Sequence, residues 1–78
     1  MHIIERFEVM ILQLDIKKMR VLRAEKNLTQ ESVAKTAEIS QNHYSSIERG
    51  QRIPRIEVLN NIAKAFGCSI KDLILEDS

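Results

Sequence analysis

Cysteine is nearly missing from this chain: Cys68 is the single one in 78 residues. One thiol excludes an internal disulfide, so no covalent staple reinforces the fold. Histidine is as scarce, and His2 and His43 beside one thiol do not make a zinc ligand set. Tryptophan is absent, and Phe7, Tyr44 and Phe66 complete the aromatic inventory. Two glycines and one proline are too few for a sheet rich in turns, which leaves helices. No glycine-rich phosphate loop or acidic metal cluster is present. For an enzyme, Cys68 and His43 are the only candidate nucleophile and base. Cys68 lies between Gly67 and Ser69, in a helix connection, and reads as a small buried thiol. Catalysis, a cofactor, a metal and a small-molecule ligand are therefore not expected.

No apolar run reaches the ~20 residues of a membrane span. The most apolar stretch, Met1 to Leu14, is interrupted by Glu5, Arg6 and Glu8. It has neither a basic start nor a small-residue cleavage site, so it does not read as a signal peptide. A reducing cytoplasm is the expected compartment, consistent with the lone thiol. Within this stretch Ile4, Phe7, Ile11 and Leu14 fit a helical stripe, while Phe7, Val9 and Ile11 fit strand alternation. Periodicity does not choose between them. In either form its apolar face needs cover, from the domain or from a second copy, and Met10 offers an alternative start.

What the chain does have is an ordinary globular composition, 44% hydrophobic and 29% charged. One small domain is expected, residues 15–78, preceded by the apolar extension 1–14. A domain of this size hides only ~60% of its unfolded surface, so its stability margin is thin. The formal charge of +1 conceals an uneven distribution. From Asp15 to Arg55 nine basic residues face five acidic ones, a net +4, and the remainder carries −3. A basic middle between acidic ends suits one face meeting a polyanion.

From Asp15 onward the pattern is short helices separated by caps. Asp15 caps a first helix, to about Lys26, with Ile16, Met19 and Leu22 inward and Asn27 as a left-handed stop. Thr29 opens a second helix containing Val33, Ala34 and Ala37. Ser40 caps a third, Gln41 to Arg49, with Tyr44 and Ile47 inward and Gly50 after it. A fourth, about Arg55 to Phe66, carries Ile56, Leu59, Ile62, Ala63 and Phe66 on one side and stops at Gly67. Ser69 and Asp72 are spaced as a capping box for a last short helix bearing Ile70, Leu73 and Ile74. The expected architecture is all-α, five short helices on one core.

The second and third helices, joined by a three-residue turn, suit a helix-turn-helix. Ala34 lies at their crossing, and Ile39 and Ile47 fill the space between them. The blocks Leu28-Thr29-Gln30-Glu31-Ser32-Val33-Ala34, Ile39-Ser40-Gln41, Ser45-Ser46-Ile47-Glu48-Arg49-Gly50 and Pro54 follow in order. In this, about Ile16 to Leu75 resembles the Cro and phage-repressor type helix-turn-helix family and the related xenobiotic-response-element regulators. The sequence departs from the family pattern at Glu38, where glycine is common, at Tyr44, where an aliphatic residue is common, and in its apolar N-terminus.

The resemblance implies a compact lambda-repressor-like domain that binds double-stranded DNA. Gln41 and Asn42, with Ser45 and Ser46, then contact bases from the third helix. An amide pairing two hydrogen bonds with adenine is worth about 1–3 kcal/mol of discrimination. Without the family, the same residues read as a solvated first turn. Gln30, Ser40, His43, Arg49, Arg52 and Arg55 are the expected phosphate or minor-groove contacts, with solvated surface charge as the alternative for each arginine. The family further implies an ion pair between Arg23 and Glu48. A homodimer on a pseudo-palindromic operator, acting as a repressor and encoded by a bacterium or phage, is expected. The N-terminal stretch and the region of Ile70, Leu73, Ile74 and Leu75 are candidate dimer surfaces. A DNA-binding antitoxin or a protein-interaction adaptor is the alternative reading of this fold.

Overall fold

The computed structural model describes residues 14–75. Its elements in order are α1 (Ile16–Glu25), α2 (Gln30–Ala37), α3 (Gln41–Glu48), α4 (Ile56–Phe66) and a single 3-10 turn (Ile70–Leu73). Among the described residues no helix is long and apolar enough to cross a membrane.

Local chemistry sets the helix ends. The Asp15 carboxylate accepts from the Lys18 amide at 3.0 Å and starts α1. Asn27 then takes a left-handed turn, φ 55°, which asparagine tolerates better than most residues. Thr29 and Ser32 form a reciprocal box at the start of α2: the Ser32 amide donates to Thr29 Oγ1 at 3.0 Å, and the Thr29 amide to Ser32 Oγ at 3.1 Å. The Ser40 hydroxyl accepts from the His43 amide at 3.0 Å and starts α3. Gly67, φ 71°, ends α4 in the left-handed conformation that glycine adopts without strain.

Glu38 occupies the equivalent position after α2, with φ 60° and ψ 41°. Its Cβ is strained there, at a cost of about 1 kcal/mol. Its side chain is exposed and, among the described residues, makes no bond that would offset that cost. Glu38→Gly is expected to stabilise the domain by about 0.5–1 kcal/mol, the gain being reduced by the freer unfolded chain. Thermal unfolding checks this as a rise in Tm of several degrees; a fall would refute the strain.

The core lies where α2, α3 and α4 meet, closed by α1 and the 3-10 turn. Met19, Val33, Ala34, Ala37, Tyr44, Ile47, Leu59, Ile62, Ala63, Phe66 and Leu73 are all buried in one cluster. Two small residues of α2, Ala34 and Ala37, let its backbone approach its neighbours closely. Ile39, in the turn between α2 and α3, packs against the same cluster.

Three details differ from the sequence reading. Ile56 is 45% exposed rather than inward. At 100° per residue it stands about 70° from the centre of the stripe formed by Leu59, Ile62, Ala63 and Phe66, at the edge of the buried face. The expected fifth helix is only a four-residue 3-10 turn, so four α-helices and this turn make the all-α fold. Ser69 and Asp72 do meet, the Ser69 amide donating to Asp72 Oδ2 at 3.0 Å. At Ile74, however, the chain becomes extended, because it pairs antiparallel with Leu14. The Asp15 amide donates to the Leu73 carbonyl at 2.8 Å and ties the start of α1 to the end of the domain. Third, within the candidate C-terminal dimer surface, Leu73 belongs to the core, whereas Leu75 is 50% exposed. Whether the N-terminal stretch is helix or strand falls on residues 1–13, outside the described residues.

Candidate nucleic-acid interface

Two faces of α3 have opposite fates. Tyr44, Ile47 and Glu48 face the interior and are essentially without solvent contact. Gln41 and Asn42, in the first turn, are exposed. Ser45 and Ser46 are half-buried. Ser46 Oγ donates to the Asn42 carbonyl at 3.0 Å, back along the helix. Ser45 Oγ accepts from Arg49 Nη1. The same guanidinium donates from Nε and Nη2 to Gln51 Oε1, both at 3.2 Å. Arg49 is thus folded back along the end of α3 while remaining exposed. Arg52 and Arg55 are exposed on either side of buried Pro54. His43 is half-buried beside the capped turn.

Beneath this face lies a fully satisfied polar network centred on Glu48, which is 3% exposed. Arg23 grips its carboxylate side-on, Nε to Oε2 at 2.9 Å and Nη2 to Oε1 at 3.0 Å. The third donor of Arg23, Nη1, reaches the Leu28 carbonyl at 3.1 Å, in the connection between α1 and α2. The Tyr44 hydroxyl donates to Oε2 at 2.7 Å, and Gln30 Nε2 donates to Oε1 at 3.0 Å. Three helices, α1, α2 and α3, are therefore tied to one carboxylate. Burial by itself would raise the Glu48 pKa, but the hydrogen bonds from Arg23, Tyr44 and Gln30 and the Arg23 charge outweigh it and hold it lowered. Tyr44 moves the other way: burial, then the bond to Glu48, raises its hydroxyl far above the ordinary tyrosine value.

The structure brings Arg23, Gln30 and Glu48 together and leaves Gln41 and Asn42 free at the surface. Ser40 is used as a cap. Two contributors escape the sequence reading. Arg20 Nη2 donates to the Glu48 carbonyl at 3.0 Å, closing the open end of α3. Nothing local marks it, because the carbonyl it reaches lies 28 residues away in the chain. Tyr44 reads as an inward side chain, and its spacing of four residues from Glu48 on the same helix was the available signal for its hydroxyl's partner. Cys68 is half-buried, and burial followed by Asp72 raises its pKa, the reverse of an activated thiol.

The N-termini of α2 and α3 open on a shallow cleft lined by Arg23, Leu28, Thr29, Gln30, Glu31 and Gln41. Unpaired amides at helix N-termini attract anions, and side-chain amides above them can pair with base edges. The arrangement thus places two helix N-termini and exposed side-chain amides on one surface.

The helix-turn-helix family model matches residues 16–73. The chain is 37% identical over 57 residues to the cryptic phage CTXphi transcriptional repressor RstR of Vibrio cholerae. That match covers 73% of this chain and 51% of RstR, so the shared region is about half of that relative's length. It is 45% identical over 53 residues to the uncharacterized HTH-type transcriptional regulator y4dJ of Sinorhizobium fredii, covering 68% of this chain and 69% of that one. Among solved structures, the clp gene regulator ClgR of Corynebacterium glutamicum superposes with a TM-score of 0.72 at 27% identity, over 80% of this chain and 66% of that one. With the paired helices α2 and α3 at its centre, this chain belongs to the Cro and phage-repressor type helix-turn-helix family.

Proposed function

We propose that the chain is a DNA-binding transcriptional regulator, a repressor that places α3 in the major groove of a pseudo-palindromic operator as a homodimer. The observation that carries this reading is the two-sidedness of α3. Its inner face is pinned by Tyr44, Ile47 and Glu48, so Gln41 and Asn42 are presented outward on a helix that cannot roll. Gln41, Asn42, Ser45 and Ser46 form the base-reading face. Gln30, Ser40, His43, Arg49, Arg52 and Arg55 surround it as phosphate contacts. Repression, the role by which RstR is named, follows here when the bound dimer blocks polymerase. The reading puts the chain in the cytoplasm, with its duplex.

One recognition helix spans only a few base pairs, too few to select a site in a genome. Two copies about a two-fold axis place their helices about 34–36 Å apart, one turn of DNA. Sedimentation at tens of micromolar tests the dimer; a 9.0 kDa species alone would oppose it.

Phosphate contacts by arginine release counterions, which makes them visible in the salt dependence. Arg55→Ala is expected to weaken binding to every duplex and to reduce the slope of log K against log salt by about 0.9. Fluorescence anisotropy across a salt series measures this, and an unchanged slope would remove Arg55 from the interface.

A further inference from the structure

A buried carboxylate under a surface that receives phosphates is an electrostatic liability, so its position calls for an explanation. Glu48 has one, beyond bracing α1 against α3. Of its two oxygens, Oε1 accepts from Gln30 Nε2 at 3.0 Å as well as from Arg23. Gln30 is the first residue of α2, half-buried, and shares the cleft at the two helix N-termini with Gln41. An amide has two ends, and a carboxylate tolerates only one of them. Turned around, the Gln30 carbonyl would face an anionic oxygen at hydrogen-bond distance, with no proton between them. Glu48 therefore fixes the amide with its nitrogen inward. That nitrogen is planar and carries two protons. With one engaged by Oε1, the other is directed away from Glu48.

We infer that Glu48 is a positioning residue for duplex binding, holding the Gln30 amide so that its second N–H meets a phosphate oxygen in the cleft. This rests on the DNA-binding reading above and deepens it. A flexible glutamine loses much rotamer freedom when it is fixed, and here that ordering is complete before the duplex arrives. The buried anion then acts on DNA through a neutral intermediary, and its own charge stays matched by Arg23.

The test is a cycle on the full chain with a fluorescein-labelled mixed-sequence duplex of about 30 base pairs at about 50 mM salt, conditions under which backbone contacts dominate. Gln30→Ala is expected to weaken binding about ten- to a hundredfold, the scale of one lost hydrogen bond to a charged group. The salt slope stays unchanged, since glutamine displaces no counterion. The same substitution is then made where Arg23→Met and Glu48→Met replace the ion pair by apolar groups of similar size, a change that buried pairs often tolerate. There it is expected to alter affinity less than about twofold, because the amide has lost its anchor. Equal losses in both backgrounds, or no loss in either, would overturn the inference while the regulator reading survives. No binding of the unaltered chain to the duplex would overturn the regulator reading itself. Should the Met pair fail to fold, side-chain amide NMR of the unaltered chain decides. Adding duplex is expected to shift one Gln30 amide proton and leave its partner in place; equal shifts or none would overturn the inference.

Discussion

Replacing Glu48 by alanine is expected to lower stability by about 3–5 kcal/mol and leave the fold marginal. The loss exceeds that of a surface ion pair, worth about 0–1 kcal/mol, because of what is left behind. Tyr44, wholly buried, keeps a hydroxyl with no acceptor, and the Arg23 guanidinium keeps a charge with no counter-ion. A domain of this size has a total stability near the low end of about 5–15 kcal/mol, so the deficit consumes most of it. Chemical denaturation measures the loss; a change under about 1 kcal/mol would mean that the network is not integral to the fold. The paired Arg23→Met and Glu48→Met change should be milder, since it leaves no unpaired charge and the Tyr44 hydroxyl is the group that still loses its acceptor.

The same carboxylate gives the stability a pH dependence. In the folded state its pKa is lowered, so it binds fewer protons than in the unfolded chain as pH approaches its ordinary value. Its contribution is fully present above the unfolded value of about 4.3 and is lost as pH falls through the folded one. Acid should therefore destabilise the unaltered chain more steeply than the double-methionine variant.

The second large effect concerns recognition rather than stability. Gln41→Ala with Asn42→Ala is expected to remove about 2–6 kcal/mol of affinity for the preferred site, at about 1–3 kcal/mol per bidentate amide. Binding to unrelated duplexes should be nearly unchanged, since phosphate contacts supply it. Both side chains are exposed, so thermal unfolding should move by no more than about 0.5 kcal/mol equivalent. Competition binding between preferred and random duplexes separates the two terms. Equal loss on both would make these residues part of the backbone grip instead.

Which of these features can be read in the chain, and which cannot, follows from the range of the forces involved. Helix starts at Asp15, Thr29 and Ser40 are legible because a cap is settled by one hydroxyl or carboxylate and an amide three residues on. The stop at Gly67 is legible because a left-handed residue favours glycine. The end of the domain is not. Ile70 to Leu73 has the caps and apolar residues of a helix, yet it stops after one 3-10 turn, because Ile74 is extended where it pairs with Leu14, 60 positions away in the chain. Exposure of Gln41 and Asn42 follows from the helical period once Tyr44 and Ile47 are placed inward. The orientation of Gln30 does not, because its partner Glu48 is 18 residues away and only the folded chain puts them in contact. Likewise Arg20 has an unremarkable place on α1 until α3 docks and presents its terminal carbonyl.

Selection of duplexes from a random pool by the unaltered chain interrogates α3 most directly. Enrichment of two inverted copies of a short motif, centred about 10 base pairs apart, is the expected outcome, with the motif blurred when Gln41 and Asn42 are both alanine. A pool that stays random through every round, at salt low enough for backbone binding to persist, would mean that the exposed amides of α3 read no bases.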